Sequence, residues 1–312
     1  MRLKDYTLLT VFIVLFNACN TNNTSNTERI KNPNGRNDVW EHVGAGGGGA
    51  MFGPAISPHD PDVAFVACDM GGCYATYDGG KVWRMFNLSE KVTFYVFDPL
   101  DPDVVYANMD ALAGMYKSTD KGNTWRLFYP KPTDVLGLVS KGDHARERWV
   151  PKDNILREVR AFAIDPANSK KMYAAIQDES TIALYVSDNG GEGWTKERVF
   201  ADDVTGVGKE DWKRDRDLTK DVKKIFIDPS SPADNRTIYV AFQDWVEQKV
   251  DGMWTRYYPE EGLKFSFYTG GYDESLKKYI MYAIAGPSYY TYRYRINVTK
   301  SGIYYSEDGG KT

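Results

Sequence analysis

The chain has 312 residues, 42% hydrophobic and 14% aromatic, with 22 Tyr, 14 Phe and 28 Gly, a balance that favours many short strands and turns over helices. Its 39 basic and 43 acidic side chains leave a formal charge of −4, so no broad basic surface exists to hold a nucleic-acid backbone. The histidines are His42, His59 and His144 and there is no Cys/His metal spacing; neither a zinc site nor a Ser/His/Asp triad is supported, and no metal or cofactor is expected.

Residues 1–19 read as an export signal. Arg2 and Lys4 give a basic start, 7–16 form an apolar run too short to span a bilayer, and Ala18-Cys19 closes the segment. The ending resembles the lipobox of bacterial lipoproteins, which implies that Cys19 becomes the lipid-bearing first residue of the mature protein. An ordinary signal peptide cut elsewhere is the competing reading. Residues 20–38, rich in Asn and Thr, read as a flexible tether. The expected location is the periplasm, the outer membrane or the cell surface, with the lipid as the sole membrane contact.

The remainder, 39–312, is an array of repeats. Its first clear unit spans 65–83. There the run Phe65-Val66-Ala67-Cys68, the loop Asp69-Met70-Gly71-Gly72, a second run from Cys73 to Tyr77, and the turn Asp78-Gly79-Gly80 lead to Trp83. Two short strands about a glycine loop make a hairpin pattern. Cys68 and Cys73 flank that loop, where a disulfide clip and two unlinked small core residues are equally consistent with the sequence.

An apolar strand ending near Pro, a polar turn and a strand with an aromatic recur along the chain. The copies run from Pro58 to Phe65, Pro99 to Tyr106, Pro166 to Tyr173 and Pro229 to Tyr239, with a weaker fifth around Asp273 and Tyr282. Each is followed by a segment resembling the Asp-box, S/T-x-D-x-G-x-T-W. The segment 118–125 (STDKGNTW) fits throughout and carries Asp120 and Trp125; 76–83 carries Asp78 and Trp83; 187–194 puts Asn189 before Trp194. In the fourth copy only Asp251-Gly252-Met253-Trp254 remains, while the last box holds Asp308 and runs to Thr312, after which its Trp is due. The near-constant spacing from proline to box predicts one supersecondary unit used repeatedly. The expected fold is all-β, a β-propeller of four-stranded antiparallel blades with Asp-box turns. Blades are expected near 51–88, 92–130, 158–200, 222–258 and 264–312, about five of seven, so the chain reads as a fragment. The box residues are expected to be structural: the carboxylate accepts backbone N–H groups, glycine supplies the dihedrals and Trp packs into the blade.

Strand alternation puts the loops between second and third strands at the end opposite the boxes. Long connections emerge there too, 129–160 with Trp149 and 198–222 with Trp212, and they read either as walls of a binding cleft or as solvated loops. Each blade also offers an acid on this rim: Asp69, Asp110, Asp178 and Asp244. A ring of carboxylates can supply general acid and base groups. Capping of turns is the bland role for each, and the preferred one except at Asp69.

Trp40 through Gly46-Gly47-Gly48-Gly49, then Ser57-Pro58-His59-Asp60-Pro61 and Asp69-Met70-Gly71-Gly72-Cys73-Tyr74, resemble the opening of family 74 glycoside hydrolases. Those are inverting, xyloglucan-cleaving enzymes built from two tandem seven-bladed propellers. The resemblance implies that Asp69 is the general base and that the general acid belongs to a second propeller. Cys68, Cys73 and Ala75 depart from the family's Thr, Ala and Arg. The expected function is therefore a secreted or surface-anchored glycoside hydrolase acting on a plant-type or other complex polysaccharide, the fragment being inactive alone. The alternatives are a non-catalytic sortilin-like or assembly-factor-like binding propeller and a polysaccharide lyase.

Overall fold

The computed structural model describes residues 50–68, 72–86, 88, 91–109, 113–139, 147–178, 180–202, 221–259, 261, 263–286 and 300–312. All lie in the compact unit His42–Thr312. The export signal, Cys19 and the tether lie outside the described residues.

Five antiparallel sheets follow one another along the chain, each a meander in which every strand pairs with the next. The first contains β1 (Met51–Ile56), β2 (Ala64–Cys68), β3 (Gly72–Thr76) and β4 (Arg84–Phe86); the second β5 (Val92–Phe97), β6 (Val105–Met109), β7 (Met115–Ser118) and β8 (Arg126–Tyr129). A hairpin, β9 (Val135–Val139) with β10 (Arg148–Pro151), then precedes the third sheet, β11 (Glu158–Asp165), β12 (Asn168–Gln177), β13 (Ile182–Ser187) and β14 (Thr195–Ala201). The fourth has β15 (Val222–Ile227), β16 (Ile238–Phe242), β17 (Val246–Val250) and β18 (Met253–Tyr257), and the fifth β19 (Phe265–Asp273), β20 (Lys278–Ala285) and β21 (Gly302–Ser306). Among the described residues the fifth blade thus has three strands. The hairpin lies within the connection 129–160, where the sequence shows no strand pattern.

The core lies between blades. Phe65, Ala67, Tyr95 and Ala107 join blades one and two, and Tyr106, Phe162 and Ala174 join two and three. Leu184, Ile225 and Val240 join three and four, and Tyr239, Ala241 and Tyr268 join four and five. Each second strand thus alternates a large ring with alanine, which lets adjacent sheets close to packing distance with the ring filling the gap. A sheet apolar on both faces needs a neighbour on each side, and the β-propeller supplies both.

Cys68 and Cys73 are both buried thiols, with no disulfide between them. Cys73 pairs with Ala67 and joins the cluster facing blade two, whereas Cys68 pairs with Gly72 and packs with Val66 and Tyr74. Successive strand residues face opposite sides of the sheet, so the two sulfurs point apart.

The turns between third and fourth strands share one hydrogen-bond pattern. At 118–125 the Ser118 hydroxyl donates to Asp120 at 2.7 Å and accepts from Gly122 N at 2.8 Å, while Thr124 donates to Asp120 from its backbone and its hydroxyl. Thr76 with Asp78 and Ser306 with Asp308 repeat it. Asn189 serves with its Oδ1 as the acceptor of Gly193 N at 2.8 Å. The fourth blade differs. Asp251 and Gly252, at φ +49° and +78°, form a two-residue hairpin that pairs Val250 with Met253. Trp83 packs into its own blade against Val66 and Tyr74, and Trp194 lies 6.4 Å from Phe162 of its own blade. Trp125 stacks on Phe86 of blade one at 5.6 Å, and Trp254 meets Phe200 of blade three at 5.8 Å, so these two reach the preceding blade.

Candidate functional site

The meander separates two rims. Turns between first and second strands meet the glycine turns on one of them, where Gly79 N donates to Asp62 O, Lys121 N to Asp103 O and Gly190 N to Lys170 O. The turns between second and third strands and the connections between blades share the opposite rim, to which Trp149, Asp178 and Asp244 belong. Asp69 follows β2 and precedes β3; it, Asp110 and Trp212 lie outside the described residues.

Asp178 is engaged by its own turn. Thr181 donates to it from backbone and hydroxyl, each at 2.7 Å, and Ser180 N at 3.2 Å. Burial pushes its carboxyl up, but those donors outweigh burial and hold it below the usual carboxylate range. Asp244 is ion-paired with Lys264, at the start of the next blade. Trp149, on β10, donates from Nε1 to Ala113 O at 3.0 Å and lies over Gly114. The indole therefore docks the hairpin onto the loop of blade two, with its remaining surface partly open. Gly114 is required there: its φ is +89° and a Cβ would meet Tyr129 O at 2.7 Å.

All five innermost strands carry one extra residue near this rim, at Gly53-Pro54, Thr93, Arg160, Lys223 and Ser266. Bulges re-aim side chains and recur beside functional sites. Arg160 pairs with Glu158 and donates to Gln177 Oε1 at 2.8 Å, and Lys223 meets Asp221 at 3.0 Å. These charged side chains are mostly buried, and each cation is matched by an acid two residues before it.

An aromatic group that the sequence reading passed over closes the rim between blades three and four. Trp245 stacks on Phe242 at 4.4 Å, and the exposed Tyr258 lies 6.3 Å from it. Its signal was a Trp in the turn after β16 with Tyr257-Tyr258 at the end of β18, which becomes one surface only through strand pairing. Among the described residues, no group of three or more His, Cys, Asp or Glu side chains gathers to hold a metal ion.

No protein-family model matches the sequence. The chain is similar to the xyloglucanase Xgh74A of Acetivibrio thermocellus, 27% identical over 229 residues, which cover 66% of this chain and 25% of the relative. It is 26% identical to a xyloglucanase of Hypocrea jecorina over 86% of this chain and 35% of that one. The chain thus spans a quarter to about a third of the length of these relatives. Among solved structures, an ancestral GH74 enzyme superposes with a TM-score of 0.57 at 19% identity, covering 88% of this chain and 32% of its own. The GH74 xyloglucanase of Xanthomonas campestris does so with a TM-score of 0.50 at 18% identity, over 83% and 37%. These structures share the β-propeller, and the sequence likeness extends to glycoside hydrolases of plant polysaccharide.

Proposed function

We propose that the chain contributes the base-bearing propeller of an exported glycoside hydrolase that cleaves a plant-type polysaccharide, with xyloglucan the first substrate to test. The observation that carries this reading is the likeness to two xyloglucanases over most of the repeat array. Asp69, in the Asp-x-Gly-Gly-x-Tyr motif between β2 and β3, is the general base. Its carboxylate takes a proton from a water as that water attacks the anomeric carbon, while a carboxylic acid on the opposite side of the sugar protonates the departing oxygen. The two carboxyls stand roughly 6.5–9.5 Å apart in inverting enzymes, leaving room for the water, so they can come from separate domains.

The remaining rim residues bind rather than react. Trp149 and Trp212 offer ring faces to sugars, and Asp110, Asp178 and Asp244 shape the loops around the glycan. Cys19 carries the lipid and 20–38 is the tether, which keeps the propeller at the cell surface where an insoluble polymer is met.

The test is Asp69→Asn in the full-length protein, assayed on xyloglucan. The expected loss of kcat is on the order of 10²–10⁴, with KM little changed, because the amide keeps the shape but takes no proton. NMR of the first product should show inversion at the anomeric carbon. Unchanged hydrolysis by the variant would reject the assignment of Asp69.

A further inference from the structure

The seam between blades three and four carries a second constellation on the candidate rim. Glu247, on β17, is fully buried, and two arginines from different blades hold it. Arg256 of β18 donates from Nε to Glu247 Oε1 at 2.6 Å, and Arg198 of β14 approaches Oε2 at 3.3 Å. Each guanidinium also lies over an indole, Arg256 4.6 Å from the Trp245 ring centre and Arg198 5.9 Å from that of Trp254. Arg256 makes a further bond to Phe200 O at 3.0 Å.

The group is rich in donors and poor in acceptors. Among the described residues two guanidinium charges face one carboxylate, leaving one positive charge over. Trp245 is 6% exposed, yet among the described residues its indole N–H has no hydrogen-bond partner, and neither has the buried Nε–H of Arg198. Buried donors left unpaired are costly, which leaves the seam short of acceptors. The arginine side chains are about one-third open to solvent, at 38% for Arg198 and 32% for Arg256. Tyr258, 65% exposed, extends the aromatic surface beside them.

We propose that this seam is a carbohydrate subsite for an acidic sugar, with the ring of a uronate against Tyr258 and its carboxylate received by the guanidinium of Arg198. The chemistry selects this class. A surplus cation in a fixed planar fork suits a carboxylate, and an open tyrosine face suits the apolar side of a pyranose. Glu247 acts through the arginines as a positioning residue. The proposal rests on the glycan-active reading of the rim but not on Asp69.

Binding separates the two. In the full-length protein carrying Asp69→Asn, a glucuronate-bearing oligosaccharide and a neutral gluco-oligosaccharide of equal length are titrated by calorimetry. The acidic sugar should bind at least 10-fold more tightly, with a preference that shrinks as salt rises. Arg198→Gln should abolish the preference, and Tyr258→Ala, at an exposed position, should weaken both sugars by about threefold or more. Equal affinity for the two sugars, or an acidic preference that survives Arg198→Gln in a folded variant, would overturn the proposal. Binding that persists while the parent protein hydrolyses no polysaccharide would leave this subsite standing and defeat the hydrolase reading instead.

Discussion

At residue scale, two adjacent glycines separate what a turn demands from what a blade demands. Gly190 and Gly191 have φ of +73° and +87°; a Cβ at Gly190 meets nothing within 4 Å, whereas one at Gly191 lies 2.3 Å from Phe128 Cζ in the preceding blade. Gly190→Ala is expected to cost about 1 kcal/mol for the left-handed backbone, and Gly191→Ala about 2–4 kcal/mol, since the ring must also move. Urea unfolding of both variants checks this, and equal losses would mean that the contact with Phe128 carries no weight. The need for glycine was legible in the sequence, because Asn189-Gly190-Gly191 is turn chemistry. Its second duty was not, since Phe128 lies far off in sequence and only blade packing brings its ring to the turn. The same holds at the candidate site: Asp178 was legible as a turn acid, while the joining of Trp245, Arg256 and Glu247 required the pairing of β17 with β18.

At the scale of the element, the glycine turns show how one spacing hides two constructions. Asp251 stands only one residue farther from Pro229 than Asp120 does from Pro99, so the fourth copy reads as a degenerate box. Its strands instead continue to Val250 and Met253 and close on two residues at positive φ, the geometry of a tight hairpin that Asp-Gly favours. A carboxylate is needed in the first construction and incidental in the second. Asp120→Ala removes the acceptor of Thr124 N, the Thr124 hydroxyl and the Ser118 hydroxyl, and should cost about 1–3 kcal/mol. Asp251→Asn, which keeps a residue tolerant of positive φ, should stay within about 0.5 kcal/mol. Thermal melts of the two variants decide it: a large loss at Asp251 would mean that this side chain anchors its turn after all. The hairpin of β9 and β10 was the element least legible. Its apolar run Val135-Leu136-Gly137-Leu138-Val139 is short and lacks alternation, and the partner strand begins beyond an intervening segment that no local pattern bridges.

At the scale of the molecule, the blades are joined near the glycine-turn rim by the Asp-Pro turns that the sequence repeats. Asp98 of blade two accepts from Ser169 of blade three at 2.6 Å, and its carbonyl meets His59 Nε2 of blade one at 2.7 Å. Asp165 of blade three takes Arg236 of blade four in a two-pronged pair at 2.7 and 2.9 Å, with both side chains almost wholly buried. Burial pushes the Asp165 carboxyl up, but Arg236 and the Ala167 N–H outweigh burial and hold it below the usual range. Asp78, Asp120 and Asp308 are lowered as well, by the donors of their own turns and, at Asp308, against burial. A carboxyl depressed by folding stabilises the native state above its unfolded value, about 3.9, and that contribution is lost as pH falls through the folded value. Unfolding free energy should therefore be nearly level with respect to these groups from pH 7 to about 5 and fall steeply below about 4. Asp165→Asn should cost about 3–5 kcal/mol at pH 7, because Arg236 is left buried without its counter-charge, and should flatten the acid limb. Denaturant titrations across pH test both parts together. A variant that loses stability at neutral pH yet keeps the full acid limb would place the lability in the turns, and a variant that loses neither would show that the blades hold without this pair.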